Sequence, residues 1–357
     1  MSADRIARSR MGNQRLWGKP FDTPEEVVGW LGALQAQEFP YAKWSVAQRA
    51  NGVDHQAMAR AFDEGTILRS HFLRPTWHFA LARDIRWLLT ATAPRVRALN
   101  ASSNRQHGID EELAARTNAV LGKALGNGEH LTRKELAAIL ERAGIVASGP
   151  RLAYIIMRAE LDAIVVSGAK RGRQHTYALL EERAPNAITL DHDEALAELT
   201  RRYFTSRGPA TLKDYSRWSS LTAAECKRGV EMIKSGLEHE EIDGRTYWFG
   251  SSSVMRKEPR PRVDLVQGFD EIIMSYSESR HVVAPVTPGL LVKDRRIFHN
   301  AILLDGRLIG LWRHDPPKGS VAVETILHRP LEPAEIRALD AAVQRYGRFL
   351  GVAASLR

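Results

Sequence analysis

The chain has 357 residues with 44% hydrophobic and 26% charged side chains, an ordinary globular composition that argues against disorder and allows about two to four domains. The single cysteine, Cys226, excludes an intrachain disulfide and fits a reducing cytosol, and the absence of a run of about 18 apolar residues argues against a membrane span. The 51 Lys and Arg residues against 42 Asp and Glu residues give a net charge of +9, which favours a polyanionic partner such as nucleic acid.

The first elements along the chain are predicted to be helices. One helix is expected over about residues 3–16, and a second starts with Thr23 as N-cap and Pro24 at the first helical position. Pro40 disfavours helical geometry in the residue before it. We therefore expect the second helix to stop near Gln37 or Glu38.

The next segment combines a strand pair with an excess of positive charge. Residues 54–62 are typical of a helix, GTILRSHFLRPTWHFAL of a strand pair or wing, and RDIRWLLTATAPRVRALN of another helix. Between Thr66 and His107 there is one acid, Asp84, against seven arginines: Arg69, Arg74, Arg83, Arg86, Arg95, Arg97 and Arg105. Seven minus one leaves a local charge of +6 in a segment too apolar for a disordered tail, which supports contact with a polyanion.

The middle of the chain shows one order of elements twice. Residues 132–144 are expected to form a capped helix that ends in glycine, residues 150–160 a second helix, and AIVVSG and HTYALL a hairpin around AKRGRQ. Helix, turn, helix and basic hairpin is the order of a winged helix. A similar order starts near residue 196 and ends in a hairpin that turns at Asp243-Gly244. The first 107 residues are compatible with the same order.

After about residue 260 the pattern changes to strands. DLVQGFDEIIMSY, GLLVKDRRIFHNAILLDGRLIGLWR and SVAVETILHR alternate or run apolar, with turns at Asp305-Gly306 and Pro316-Pro317. A small antiparallel sheet or barrel is therefore expected. EPAEIRALDAAVQRYGRFLGVA then predicts an amphipathic helix.

The hairpin turn of residues 170–175 is a candidate DNA contact. Its basic side chains sit on a short turn that can reach past the helices to phosphates or a groove: Lys170, Arg171, Arg173 and His175. A solvated turn is the alternative interpretation, because Lys and Arg are common in turns.

HFLRPTWHF, residues 71–79, is a second candidate. In an extended chain Arg74, Thr76 and His78 share one face and His71 lies on the other. This polar set, with Arg69 just before it, is suited to gripping phosphates or a sugar beside a reaction centre. A structural strand with a buried, hydrogen-bonded histidine is the alternative.

Several kinds of site are not supported. The histidine spacings match no zinc pattern, and no P-loop, dinucleotide glycine fingerprint or GxSxG occurs, so neither a metal nor a cofactor is expected. Phe269-Asp270-Glu271 places two carboxylates in a strand-like context. Such an acidic pair is more often solvated or structural than catalytic.

Five segments, in order along nearly the whole chain, resemble the AlkZ-like DNA glycosylases, a winged-helix family that includes enzymes unhooking DNA interstrand crosslinks. The segments are LQAQEFPYAKW at 34–44, HFLRPTWHF at 71–79, SRGPATLKDYSRWSSLT at 206–222, LVQGFDEIIMSY at 265–276 and LLDGRLIGLWR at 303–313. The resemblance implies an α+β fold of three tandem winged-helix units followed by a small β-barrel and a terminal helix. The corresponding boundaries are 1–110, 111–185, 186–258 and 259–357.

The resemblance also implies an activity. The catalytic signature of the family is Gln–apolar–Gln, or Gln–apolar–Asp in a related branch, and Gln35-Ala36-Gln37 matches the first form. Gln35 and Gln37 are then the catalytic pair of a monofunctional DNA glycosylase that removes alkylated purines. The implied partner is double-stranded DNA carrying alkylated bases, in the cytoplasm, with no obligate protein partner.

Two other functions remain open from the sequence. The element order alone favours a non-catalytic winged-helix regulator, since winged helices serve regulation more often than catalysis. A basic structural protein with incidental charge is a third interpretation. The Gln-Ala-Gln match favours the enzyme.

Overall fold

The computed structural model describes residues 2–251, 260–283, 300–315 and 319–357. Helices and strands both occur along the chain, which confirms the predicted α+β class. The predicted turn at Pro316-Pro317 and the stretch GLLVKDRRIF lie outside the described residues. Among the described residues, no helix is long and apolar enough to cross a membrane.

The first segment contains five helices and a three-stranded antiparallel sheet in the order β1-β3-β2. Its elements are α1 (Ala3–Asn13), α2 (Pro24–Leu31), β1 (Leu34–Gln35), α3 (Phe39–Ala47), α4 (His55–Glu64), β2 (Ile67–His71), β3 (Trp77–Leu81) and α5 (Ile85–Gln106). The predicted strand pair is the β2–β3 hairpin. Thr23 caps α2 as predicted, because its side chain accepts from the backbone of Glu26 while the Glu26 carboxylate accepts from the backbone of Thr23.

The second and third segments contain the predicted helices and hairpins. The second comprises α6 (Glu111–Leu125), β4 (Leu131–Thr132), α7 (Arg133–Arg142), α8 (Gly149–Leu161), β5 (Val165–Ser167), β6 (Thr176–Leu179) and α9 (Leu180–Arg183). The third comprises α10 (His192–Arg207), α11 (Leu212–Ser219), α12 (Ala223–Ile233), β7 (Leu237–Ile242) and β8 (Arg245–Gly250). The β7–β8 hairpin turns at Asp243-Gly244, both at positive φ, as its sequence indicates.

The last segment is a five-stranded sheet with a long helix. Its elements are β9 (Val263–Val266), α13 (Glu271–Met274), β10 (Asn300–Leu304), β11 (Arg307–His314), β12 (Ser320–Leu327), α14 (Pro333–Leu350) and β13 (Ala353–Leu356). The order is β13-β12-β11-β10-β9, antiparallel except for the parallel pair of β12 and β13. The sequence did not predict β13, and the predicted strand-like context of Asp270 and Glu271 is wrong, because Asp270 caps the short helix α13.

Four apolar clusters of buried residues occur among the described residues, and the smallest groups Ile6 of α1 with Tyr247 and Val282. One lies wholly within residues 109–177. The two largest combine the beginning of the chain with its end: Trp87 packs in a cluster with Tyr203 and Ile272, and Trp44 in a cluster with Phe349. Burying each such aromatic side chain stabilises the fold by roughly 1.5–3 kcal/mol. The first and last segments therefore share a core, which brings β1 close to α13.

Candidate active site

Gln35 ends the short strand β1 and Gln37 lies in the bend that follows it, between helices α2 and α3. Helix α2 ends at Leu31 because Gly32 follows it with a φ of +71°, a conformation that costs glycine little. Gln35 then pairs with His78 across β1 and β3. The prediction that α2 continues to Gln37 or Glu38 is wrong.

Pro40 begins a helix instead of ending one. It lies in the first turn of α3, where its missing N–H would have no partner in any case. Both amide oxygens accept from the segment Arg74–Trp77 at the β2–β3 turn, Gln35 Oε1 from Arg74 and Gln37 Oε1 from the Trp77 N–H. The course of the chain through Gln35 therefore depends on Gly32 and the pairing of β1, and not on Pro40.

Gln35 is buried and held by both its side chain and its backbone. It is 2% exposed, its Oε1 accepts from Arg74 Nη2 at 3.1 Å, and its N–H donates to Glu271 Oε1 at 2.9 Å. Arginine only donates, so the oxygen of the Gln35 amide must face Arg74. Gln37 is half-buried, and its Oε1 accepts from the Trp77 N–H at 3.4 Å. Each carbonyl oxygen has a second lone pair with which to accept from a water.

Arg74 and His78 come together as the sequence predicts, although Arg74 is not in a strand. The turn between β2 and β3 contains Leu73 at a φ of +63°. Arg74 Nη2 lies 3.1 Å from His78 Nε2, and Nη1 donates to the Trp218 carbonyl at 2.7 Å. Burial, and then the charge of Arg74, lower the pKa of His78 well below its ordinary value. His78 is therefore neutral and accepts from Arg74.

Glu271 is the most heavily hydrogen-bonded carboxylate near Gln35, and its role was missed from the sequence. Its Oε2 accepts from Arg207 Nη2 at 2.8 Å, Trp218 Nε1 at 2.7 Å and Ser275 Oγ at 3.0 Å. Burial alone would raise the pKa of Glu271, but Arg207 and Arg74 hold it below the ordinary value. The carboxylate is therefore ionised, and both of its oxygens accept hydrogen bonds.

Arg207 fixes the backbone that leads into β1. Its Nη1 donates to the Leu31 carbonyl at 2.7 Å and its Nη2 to the Ala33 carbonyl at 2.6 Å, while it also binds Glu271. Arg207 and Trp218 lie in the segment 206–222 and Glu271 in 265–276, two of the segments that carry the family resemblance. The resemblance of these two segments to the family was therefore the one signal in the sequence that could have identified the three residues as part of the site.

Arg69 holds the Gln-Ala-Gln backbone from the other side. Its Nε donates to the Ala36 carbonyl at 2.9 Å and its Nη2 to the Gln37 carbonyl at 3.2 Å, with the guanidinium 4.3 Å from the centre of the Trp77 ring. His71 lies apart from this group. It is buried, hydrogen-bonded to Glu160 of α8, and packed on Trp77.

The hairpin turn of residues 170–175 packs against the first segment at Phe39 and Asp63. The His175 ring lies 4.7 Å from the ring of Phe39, and the Lys170 N–H donates to Asp63 Oδ1 at 2.8 Å. Arg171 is exposed and paired with Glu135 at 2.8 Å, and Arg173 is exposed. Nothing in the sequence indicated that this hairpin and the Gln-Ala-Gln segment are neighbours. In the structure the hairpin packs on Phe39, two residues after Gln37.

Several arginines of the basic segment 66–107 bind other parts of the protein. Arg86 pairs with Glu181, Arg97 lies 3.3 Å from Asp162, and Arg95 donates to the Ser220 carbonyl at 3.0 Å. These contacts join α5 to the second and third segments. Part of the local excess of positive charge therefore serves internal packing. Among the described residues, no group of three or more His, Cys, Asp or Glu side chains is arranged to hold a metal.

Known proteins with similar sequences and structures were compared with the chain. A sequence profile of the family described as DNA glycosylase AlkZ-like matches residues 28–349. The interstrand DNA cross-link repair glycosylase of Streptomyces sahachiroi is 23% identical over 321 residues, which cover 85% of each protein. The solved structure of Streptomyces sahachiroi DNA glycosylase AlkZ superposes with a TM-score of 0.84 and 20% identity, covering 100% of both chains.

Proposed function

Because the chain belongs to the AlkZ-like DNA glycosylase family and is therefore a DNA N-glycosylase, we propose that it hydrolyses the N-glycosidic bond of purines alkylated at N7, with Gln35 and Gln37 positioning the attacking water. The observation that carries the proposal is the pair of amide oxygens of Gln35 and Gln37, each anchored by one donor of the β2–β3 hairpin. The anchored oxygens keep one lone pair each for the water.

The chemistry of the lesion explains why neutral amides are enough. Alkylation at N7 leaves the guanine base cationic, so the bond between C1′ and the base breaks with its electron pair moving to the base, which leaves as a neutral molecule. No general acid is needed. The water oxygen forms the new bond to C1′ and releases a proton to solvent. Gln35 and Gln37 accept hydrogen bonds from that water and offer partial negative charge to the oxocarbenium-like sugar.

The other polar groups near Gln35 are unsuited to moving a proton. Glu271 already accepts four kinds of donor and stays ionised, and His78 is neutral and accepts from Arg74. Weakly basic amides spare normal nucleotides, which depart only after leaving-group activation. Selectivity then comes from the lability of the alkylated base itself.

The proposed substrate includes crosslinked DNA. The relative from Streptomyces sahachiroi is named an interstrand DNA cross-link repair glycosylase, and 85% of each protein aligns with the other. An interstrand crosslink through N7 of guanine carries the same cationic leaving group as a methylated base. We therefore extend the proposal to unhooking of such crosslinks.

The finer fold assignment supports a DNA-binding channel. We assign winged-helix units to 1–110, 111–185 and 186–258 and a small β-barrel with a terminal helix to 259–357, because each of the first three segments ends in or contains a hairpin after its helices. Double-stranded DNA is the proposed partner. The residues proposed to contact DNA are Arg69, His71, Arg74, His78, Lys170, Arg171, Arg173 and His175.

The test is release of 7-methylguanine from methylated duplex DNA by Gln35→Ala and Gln37→Ala. We expect each variant to lose base release while binding the duplex as the unchanged protein does, since neither amide is a phosphate ligand. Gln106→Ala, an exposed residue at the end of α5, is the matched control and should keep full activity. Undiminished release by both variants would overturn the proposal. A duplex with an N7 crosslink, assayed alongside, tests the extension.

A further inference from the structure

Lys43, in α3, is a buried cation without a carboxylate partner. The residue is 3% exposed, and its Nζ lies 2.9 and 3.0 Å from the two ring nitrogens of His55. Among the described residues, no carboxylate oxygen comes within 4.0 Å of this ammonium. A buried charge ordinarily needs a counter-charge, because desolvation costs several kcal/mol. Lys43 therefore has a neighbour in His55 but lacks the negatively charged partner that a buried ammonium ordinarily needs.

Further basic side chains converge on the same place from two other elements. Measured to the centre of the Phe39 ring, Lys43 Nζ lies at 5.3 Å, Lys170 Nζ at 5.5 Å and the Arg69 guanidinium at 5.7 Å. The His175 ring packs on Phe39 at 4.7 Å. We call Lys43, Arg69, Lys170 and His175 around Phe39 the Phe39 cluster. It combines α3, β2 and the hairpin of the second segment.

The charges of the Phe39 cluster are poorly compensated. Burial and then repulsion by Lys170 lower the pKa of Lys43 to about 8, and Asp63 opposes this shift. The Asp63 carboxylate already accepts from the Lys170 N–H. Burial also lowers the pKa of Arg69 to about 10, with Glu160 and Glu38 opposing the shift. Three cations thus face an environment that favours binding of an anion.

We propose that the Phe39 cluster binds one phosphate of the DNA backbone next to the nucleotide being hydrolysed, an inference that rests on the proposed function. Lys170 and His175 are half-exposed, so an anion can approach from solvent, and Lys43 lies beneath with its charge unpaired by acid. Arg69 links the cluster to the active site, because it donates to the Gln37 carbonyl. A phosphate held here positions the sugar beside the two amides.

Binding of a phosphate to the Phe39 cluster has two consequences for the protein. A bound phosphate relieves the repulsion between Lys43 and Lys170. It also tightens the hairpin of the second segment against α3, since its ligands come from both. DNA binding thereby sets the distance between the hairpin and the Gln-Ala-Gln segment, which couples recognition of the backbone to the geometry of the reaction.

The first test uses Lys170→Met, with Lys234→Met as the matched control in an exposed ion pair of the third segment. We expect Lys170→Met to weaken binding to methylated and undamaged duplexes to the same extent, about tenfold at low salt, and to reduce the slope of log affinity against log salt by about 1. The control should leave the slope unchanged. An unaltered slope in Lys170→Met would overturn the inference. Lys43→Met tests the buried member, with thermal unfolding monitored in parallel.

The second test locates the phosphate. Duplexes carrying one neutral methylphosphonate in place of a phosphate, moved stepwise along both strands around a 7-methylguanine, are bound to the unchanged protein and to Lys170→Met. One position should weaken the unchanged protein and leave Lys170→Met unaffected. If every position affects both proteins equally, the Phe39 cluster is not the site that binds the phosphate. If inorganic phosphate raises the melting temperature of the unchanged protein but no backbone position responds, the cluster binds free phosphate and the DNA assignment fails.

The two proposals can fail separately. The methylphosphonate series is repeated in the Gln35→Ala background, which retains binding under the proposed function. Loss of base release in Gln35→Ala with no position-specific phosphate effect overturns the Phe39 cluster alone. Full base release by Gln35→Ala and Gln37→Ala overturns the catalytic assignment, whatever the phosphate series shows.

Discussion

Glu271 joins the Gln-Ala-Gln segment to the protein core through a single carboxylate. One oxygen accepts the Gln35 N–H, and the other accepts from Arg207 and Trp218. A buried carboxylate in such a network holds its hydrogen-bond partners in fixed positions, because each partner is also held by the others. We infer that Glu271 positions Gln35 and takes no part in proton transfer.

Replacing Glu271 tests this positioning role. Glu271→Gln keeps the shape but leaves Arg207 without its counter-charge, so we expect a loss of about 3–5 kcal/mol in the free energy of unfolding. The single-turnover rate at saturating enzyme should fall at least about tenfold, since the Gln35 backbone loses a charged acceptor. Denaturant unfolding and single-turnover base release, both at a temperature where the variant is folded, measure the two effects.

Asp270→Asn is the matched control for that experiment. Asp270 forms a comparable buried pair with Arg49 at 2.7 Å, and the structure gives it no contact with Gln35. The control should lose similar stability and keep its single-turnover rate. Equal rates in Glu271→Gln and the unchanged protein would show that Glu271 is structural only. Glu271→Asp should restore the charge and part of the rate.

For single residues, hydrogen bonds between sequence neighbours were predictable and those between distant residues were not. The caps at Thr23 and Thr132 follow from hydrogen bonds over three residues, which a sequence displays directly. The two glutamines were found through resemblance, since their residue types alone indicate no chemistry. The contact of Glu271 with Gln35 joins residues 236 apart, and no local pattern encodes it.

Among the elements, β1 shows why helix ends are hard to predict. Leu34 continues the apolar spacing of α2, and it is fully buried, but it is buried in a strand. Periodicity reports burial and does not identify the element that causes it. The decisive residue is Gly32, whose backbone conformation is open to few other residues. Antiparallel pairing with β3 then holds the extended segment.

Gly32→Ala should misplace the Gln-Ala-Gln segment. The new Cβ would require positive φ and would lie 3.1 Å from Arg202 Cδ, so we expect a loss of about 1–3 kcal/mol in unfolding free energy and a slower single-turnover rate. Gly52→Ala is the control, because Gly52 also has positive φ but its Cβ would meet nothing within 4 Å. It should lose stability without losing rate. Equal rates for both variants would contradict the role of Gly32.

In the whole molecule, buried ion pairs connect segments that are distant in the sequence. Arg49 pairs with Asp270 and Arg207 with Glu271, both fully buried, and Arg202 pairs with Asp84 at 2.6 Å. The third segment thus holds the first and last together through α10. Element order was predictable because each helix and hairpin has a local signature, but this arrangement depends on contacts between segments.

Acid should inactivate the protein by unfolding it. Neither glutamine titrates and His78 stays neutral, so the single-turnover rate should be flat between about pH 6 and pH 7, below the range in which Lys43 loses its proton. The folded pKa of Glu271 lies below its unfolded value of about 4.3, so its contribution to stability is complete well above that value and is lost as the pH falls through the folded pKa. Base release and circular dichroism, followed from about pH 8 to pH 3, should decline together. A loss of rate near pH 6.5 in the folded protein would contradict this.

The distance in sequence between Gln35 and Glu271 has a consequence for biosynthesis. The first segment emerges from the ribosome long before Arg207, Trp218 and Glu271 are synthesised. The nascent chain therefore carries both glutamines without the side chains that hold this segment in place. We expect an incomplete chain to be harmless to DNA. Under the proposed function, competence to cut the glycosidic bond then arrives as a late event of synthesis, when α13 docks on the segment that was made first.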